Sequence, residues 1–121
     1  MKDIVLIGGG GHCRAIIDVL EQEGRFNIIG IIDKPELLGK TVLGYEIIGN
    51  DSELNNLVKK CKNVLITIGQ ITSPLSRIKL FDMVFKLGFS LPTIISPRAY
   101  ISPHASIGIG SVIMHDVVVN A

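Results

Sequence analysis

Three rhythms of apolar residues follow one another along the chain. Residues 3 to 8, Asp-Ile-Val-Leu-Ile-Gly, are a short β-rich run closing on glycine, the pattern of a strand buried on both faces. Beyond Gly8 to Gly11 and His12, the set Ala15, Ile16, Val19 and Leu20 recurs at helical spacing, and Gly24 predicts a C-cap. Ile28 to Asp33 is a second buried strand ending in an acid, so the opening segment is a βαβ unit, parallel by the right-handed crossover rule. Lys34 to Gly49 is rich in glycine and carries a short strand or hairpin over Val42 to Ile48. Asn50 and Glu53 have the form of an N-cap and its N3 partner, starting a second helix with Leu54, Leu57, Val58 and Cys61 on its apolar face. Val64 to Ile68 is a third strand, closed by Gly69. Ser73 and Pro74 then take the N-cap and N1 places of a third helix, with Ile78, Phe81 and Phe85 facing inward and Gly88 ending it. Thr93 to Ile95 is either a last sheet strand or the lead into a C-terminal segment of different character.

Strands alternating with helices predict an α/β domain over residues 1–93, a doubly wound parallel sheet of about four strands with flanking helices. From Ile95 the rhythm changes to a branched aliphatic at every sixth residue: Ile95, Ile101, Ile107, Ile113 and Val119. Small residues fall on a second hexad position, Ala99, Ala105 and Ser111, where they let the chain turn a tight corner between short strands. Residues 94–121 are therefore expected to open a parallel β-helix whose coils are stable only when stacked, and the repeat is still running at Ala121.

Composition removes several classes of function. Lys and Arg (12) balance Asp and Glu (11), with no basic run interleaved with aromatics, so no nucleic-acid partner is expected. Lys2-Asp3 and a short strand do not make a signal peptide, and no apolar run approaches the roughly 18 residues of a membrane span, so neither membrane nor export is expected and the chain is placed in the cytoplasm. Cys13 and Cys61 lie far apart without CxxC or Cys/His spacing, as two reduced, buried thiols.

The chemistry concentrates at the glycine loop. Gly8 to His12 sits between a strand and a helix N-terminus, where free backbone N–H groups and the helix dipole favour an anion such as a diphosphate. The dinucleotide fingerprint needs a third glycine at position 13, or at 14 if counted from Gly9; Cys13 and Arg14 stand there, which disfavours NAD. Asp33, about 20 residues past the loop, suits a contact to a ribose or base hydroxyl. His12 is placed to donate to a phosphate or sugar, Lys34 adds a cation, and Gly69 lines the same crevice beyond the strand ends. Arg77 is a further candidate for an anion. His115-Asp116 has the composition of a general base and its orienter, yet neighbours on an extended strand point to opposite faces and do not pair. His104 is expected at a corner, and no triad, carboxylate pair or metal cluster is visible.

The order of these motifs resembles one family over essentially all 121 residues. Ile7-Gly-Gly-Gly-Gly-His12, Gly-Ile-Ile-Asp33, Leu43-Gly-Tyr-Glu-Ile-Ile-Gly-Asn-Asp51, Ile68-Gly69 and the hexads together resemble the sialic acid O-acetyltransferase and UDP-amino-sugar N-acetyltransferase family (NeuD/PglD-like). The resemblance implies a Rossmann-like domain that binds a UDP- or CMP-linked sugar, joined to a left-handed β-helix that trimerises and binds the co-substrate acetyl-CoA between subunits. Carried over by position, the substrate contacts fall on Gly10, Gly11, His12, Asp33, Lys34 and Gly69; relatives often have a second acid where this chain has Lys34. The family's catalytic histidine lies in an Ile-x-His-Asp/Glu segment about one coil beyond Asn120-Ala121, and His115 falls on an earlier, non-catalytic turn. No catalytic residue, no bound acetyl-CoA and no secure trimer are therefore expected of these 121 residues alone. The leading expectation is the nucleotide-sugar-binding part of a sugar O- or N-acetyltransferase. Two alternatives stand beside it: a nucleotide-dependent oxidoreductase or sensor domain of the Rossmann type, and a non-catalytic interaction module that pairs through exposed strand edges.

Overall fold

The computed structural model describes residues 1–68, 75–108 and 112–120, with Ser76 by its backbone alone. β1 (Lys2–Ile7), α1 (Gly11–Glu23) and β2 (Phe26–Ile32) make the expected βαβ unit, with Lys2 opposite Phe26 and Ile7 opposite Ile32 in parallel register. α1 stops where Gly24 turns left-handed at φ 76° and its N–H returns to the Leu20 carbonyl at 3.0 Å. The glycine-rich stretch folds as an antiparallel hairpin of β3 (Thr41–Val42) and β4 (Tyr45–Gly49) around Leu43 and Gly44, both at positive φ as a type I′ turn requires. β4 also pairs parallel with β2, and β5 (Asn63–Ile66) pairs parallel with β1, giving the order β3-β4-β2-β1-β5. The sheet is thus parallel with one antiparallel edge strand.

Period-two burial divides the core between the two faces of this sheet. On one, Ile4, Leu6, Ile28, Ile31 and Leu65 pack with Cys13, Ile16, Ile17 and Leu20 of α1. On the other, Val5, Ile7, Ile32, Val64 and Ile66 pack with α2 (Leu54–Leu57) and α3 (Leu75–Leu87). Two helical expectations change here. Asn50 caps, but its side-chain oxygen accepts from the Ser52 N–H at 2.9 Å, and a 3-10 turn (Asp51–Glu53) followed by the single turn of α2 replaces one continuous helix. The stem of Glu53 lies over Gly49, where a Cβ would come within 2.7 Å of Glu53 Cγ, so the side chain packs forward on β4 instead of closing a capping box. In α3 the buried positions are Leu80 and Val84, with Phe81 half-buried, while Ile78 and Phe85 are exposed. The helix carries two overlapping apolar rows, and the sheet takes the row from 80 to 84. The expected caps Ser73 and Pro74 lie outside the described residues.

α1 is covered on two sides, which is why its buried set extends to Ile17, while Cys13 is buried as expected and Ala15 is exposed. Its second cover is the hexad segment. β6 (Ile94–Ile95) pairs parallel with β8 (Val112–Ile113), and β7 (Tyr100–Ile101) with β9 (Val118–Val119), at a constant offset of 18 residues from 94 to 112 and from 100 to 118. Thr93 to Ile95 therefore leads into the hexads rather than joining the main sheet. Buried Ile94, with half-buried Val112 and Met114, packs into the α1 side of the core. Serines turn the corners: Ser96 Oγ accepts from the Arg98 N–H at 3.1 Å and Ser102 Oγ from the His104 N–H at 3.2 Å. Polar contacts fasten this layer to α1. His115 Nε2 lies 2.9 Å from Asp18 Oδ2 and its Nδ1 meets the buried Ser96 hydroxyl, while the Ile95 N–H donates to Glu23 Oε2 at 2.9 Å. His115 and Asp116 do not pair with each other: Asp116 meets Arg98 at 2.8 Å on the surface.

The assignment of the α3 face is testable by urea unfolding. Leu80→Ala is expected to cost about 2–4 kcal/mol, whereas Ile78→Ala stays within about 0.5 kcal/mol; the opposite ranking would restore the row Ile78, Phe81, Phe85 to the core.

Candidate functional site

Three strands of the parallel sheet end at one edge, and the residues just beyond them meet there: Gly8 after β1, Asp33 after β2 and Thr67 after β5. Gly8 adopts φ 109°, and a Cβ on it would lie 2.3 Å from Ile68 Cγ2, so this place excludes a side chain on two counts. Its N–H donates to the Ile32 carbonyl at 2.8 Å, which draws the loop toward β2. Asp33 completes that tie: Oδ2 accepts from the Gly9 N–H at 2.8 Å and Oδ1 from the Lys34 N–H at 2.8 Å. Each carboxylate oxygen keeps lone-pair capacity for a further donor. The acid placed by sequence as a ligand contact is thus also the clamp of the loop.

Beneath the loop sits a residue that the sequence did not single out. Thr67 is fully buried; its N–H donates to the Ile7 carbonyl at 2.9 Å, and its hydroxyl lies 2.9 Å from that oxygen and 2.6 Å from the Gly8 carbonyl. A hydroxyl at the end of an otherwise apolar strand, beside a glycine loop, was the available signal. Cys13, where a dinucleotide fingerprint has its third glycine, is buried in the first turn of α1. Burial pushes its thiol up, the Thr67 hydrogen bond pulls it down, and the negative charge of Asp33 raises it again. A thiol held above its ordinary range in an apolar site packs and does not act as a nucleophile.

The N-terminus of α1 is left open. Gly10 occupies the N-cap with no side chain to offer, and the first turn contains no acid. Gly10 itself serves as acceptor, for the Cys13 N–H at 3.0 Å. A Cβ built on Gly10 or on Gly11 meets nothing within 4 Å, so packing does not demand glycine there; the two residues face free space. That space is a cavity of about 550 Å3 lined by Gly8 to His12, Asp33, Lys34, Leu37, Thr67 and Ile68. Of the residues expected from sequence, Gly10, Gly11, His12, Asp33 and Lys34 therefore converge on one cavity, while Gly69 lies outside the described residues. Arg77 lines neither this cavity nor its neighbour. The neighbour, unforeseen from sequence, measures about 650 Å3 on the α3 side of the sheet edge and shares Gly8, Asp33, Lys34 and Ile68 with the first. His104 is exposed at its corner, away from both. Among the described residues no group of three or more His, Cys, Asp or Glu could hold a metal, and no helix is long and apolar enough to cross a membrane.

Residues 3–84 match the family model described as the PglD N-terminal domain. Among solved structures, a mutant of perosamine N-acetyltransferase from Caulobacter crescentus, in complex with CoA and GDP-perosamine, is 32% identical with a TM-score of 0.89; the match covers 100% of this chain and 55% of that one. The acetyltransferase domain of PglB from Neisseria gonorrhoeae, in complex with acetyl coenzyme A, is 31% identical with a TM-score of 0.85, covering 97% of this chain and 55% of that one. The chain thus spans about half the length of these solved relatives. UDP-D-quinovosamine 4-dehydrogenase from Vibrio fischeri, 23% identical with a TM-score of 0.63 over 74% of each chain, shares the fold alone. Comparison with curated proteins gives no match.

The two kinds of glycine in the loop should separate by thermal unfolding. Gly8→Ala is expected to lose at least about 1–3 kcal/mol from backbone strain, whereas Gly11→Ala, an exposed helical position facing open space, is expected to be neutral or to gain up to about 1 kcal/mol. Equal losses at both would mean that packing, not ligand access, fixes Gly11.

Proposed function

Because the chain belongs to the PglD N-terminal domain family, we propose that it is the sugar-nucleotide-binding part of an acetyl-CoA-dependent sugar O- or N-acetyltransferase. The observation that carries this reading is the uncapped helix N-terminus at Gly10 and Gly11, facing a cavity whose far wall is the loop-clamping Asp33. A diphosphate suits the place: it accepts from the free N–H groups of the first turn of α1, lies at the positive end of the helix dipole, and meets no Cβ on approach. Lys34 and His12 add donors at the rim. Asp33, already holding Gly9, offers its remaining lone pairs to the ribose hydroxyls.

For the hexads we propose the first turns of a left-handed parallel β-helix over 94–121, with the Rossmann-like domain over 1–93. The 18-residue offset of both strand pairs supports it, since three hexads return the chain to the same side of a three-sided coil. In the assembled enzyme such coils form the homotrimer and bind acetyl-CoA, and a histidine deprotonates the acceptor amine or hydroxyl as it attacks the thioester carbonyl. That step falls to none of the described residues: His115 is engaged between Ser96 and Asp18. The oxidoreductase reading loses ground at Cys13, whose buried side chain fills the place where the dinucleotide fingerprint has a glycine for close packing of helix on strand.

Thermal shift with a panel of UDP-, CMP- and GDP-linked sugars beside NAD tests the proposal. A ligand at about a hundred times its Kd stabilises by about 2.7 kcal/mol, a shift of several degrees for a domain of this size. Stabilisation by at least one sugar nucleotide is expected, and stabilisation by NAD alone would overturn the reading.

A further inference from the structure

We propose that the larger cavity is the base site of the same ligand and that Asp51 makes it selective for guanine; this rests on the sugar-nucleotide reading of the glycine loop. The two cavities adjoin, with Gly8, Asp33, Lys34 and Ile68 lining both, which suits one elongated ligand laid across Asp33. With the diphosphate at the open end of α1 and the ribose at Asp33, the next group along falls in the 650 Å3 space beside α3. Its walls suit a flat ring: Ile32, Ile68 and Leu80 present branched aliphatic surface, and Met83 a polarisable thioether.

Selectivity comes from the rim. Asp51 is exposed at the mouth of this cavity, and its carboxylate has no hydrogen-bond partner among the described residues. Beside it, Asn50 has committed its side-chain oxygen to the Ser52 N–H and hydroxyl, which leaves its NH2 group to donate. Lys79, on the opposite wall, is a second donor. A carboxylate with donors nearby matches guanine, whose N1–H and N2–H2 lie side by side on one edge and whose O6 and N7 accept. Uracil offers a single N–H flanked by two carbonyl oxygens, which a carboxylate repels, and adenine sets an acceptor beside its only amino group. Cytosine presents one amino group and two acceptors. The rim thus ranks guanine above cytosine and both above uracil, which departs from the UDP- or CMP-linked ligand implied by the resemblance.

Isothermal titration of the whole chain with GDP, inosine diphosphate, CDP and UDP tests this, with Asp51→Asn as the variant. The expected result is that GDP binds at least about tenfold more tightly than UDP or CDP, the margin of one hydrogen-bonded charged contact. Inosine diphosphate, which lacks N2, should fall between. Asp51→Asn should weaken GDP about tenfold and leave UDP no weaker, since it removes the charge that repels the uracil carbonyls. UDP or CDP binding as tightly as GDP would overturn the selectivity, as would an Asp51→Asn that weakens all four alike or none. The series on the unmodified protein decides the matter even if the variant fails to fold. If none of the four binds, the reading of the glycine loop itself falls, a different failure from binding without discrimination.

Discussion

The 2.8 Å bond from the Gly9 N–H to the Asp33 carboxylate is the constraint on which the sheet edge depends. It spans 24 residues of sequence and joins the ends of two adjacent parallel strands, so the loop cannot move without breaking a charge-assisted contact. Gly8 holds the other side by approaching Ile68 so closely that no side chain fits, and Thr67 closes the floor by facing the Ile7 and Gly8 carbonyls. With its far side pinned in this way, the loop presents Gly10 and Gly11 to open space in a fixed orientation. Binding then requires little ordering of the protein, which is where affinity is most easily lost.

Helix α1 serves two layers. Its N-terminus forms the loop, one flank packs on the sheet, and the other receives Ile94, Val112 and Met114 from the hexad segment. Asp18 and Glu23 on its outer side bind His115 and the Ile95 N–H, and Arg25 just beyond its end donates to the Thr93 carbonyl at 2.9 Å. A further carboxylate on this helix, Glu21, accepts from the Tyr45 hydroxyl at 2.6 Å and pushes that phenol up, which ties β4 to the same element. Loop, sheet and hexads are therefore all referred to α1, so a ligand proposed at its N-terminus would be held at a set position relative to the hexad segment.

Much of this was legible in the sequence where one physical cause acted alone. The β1 run, the left-handed Gly24 cap and the Asp33 strand end follow from burial on both faces, backbone freedom and topology, and each appears where expected. The errors arose where two causes competed. In α3, two apolar rows overlap and only the sheet decides between them. In α1, Ile17 is buried because a second layer covers the helix, which the spacing of one apolar face does not reveal. At Asn50 the cap residue is legible, but Glu53 packs over Gly49 instead of closing the capping box, a choice that the residue types alone do not fix. Thr67 and the partnership of His115 with Asp18, 97 residues away, depend on juxtapositions that no local window contains. The larger cavity is of the same kind, lined by residues from Ile7 to Met83.

The central claim is that the open N-terminus of α1, with the loop clamped by Asp33, grips the diphosphate of a nucleotide. An amide-resolved NMR titration of the chain with a nucleoside diphosphate addresses it directly. The account predicts the largest shifts at the N–H groups of Gly10, Gly11 and His12, with Gly9 moving less because Asp33 already holds it. Shifts centred on the hexads or on α3 alone, with the loop amides unmoved at saturation, would contradict it.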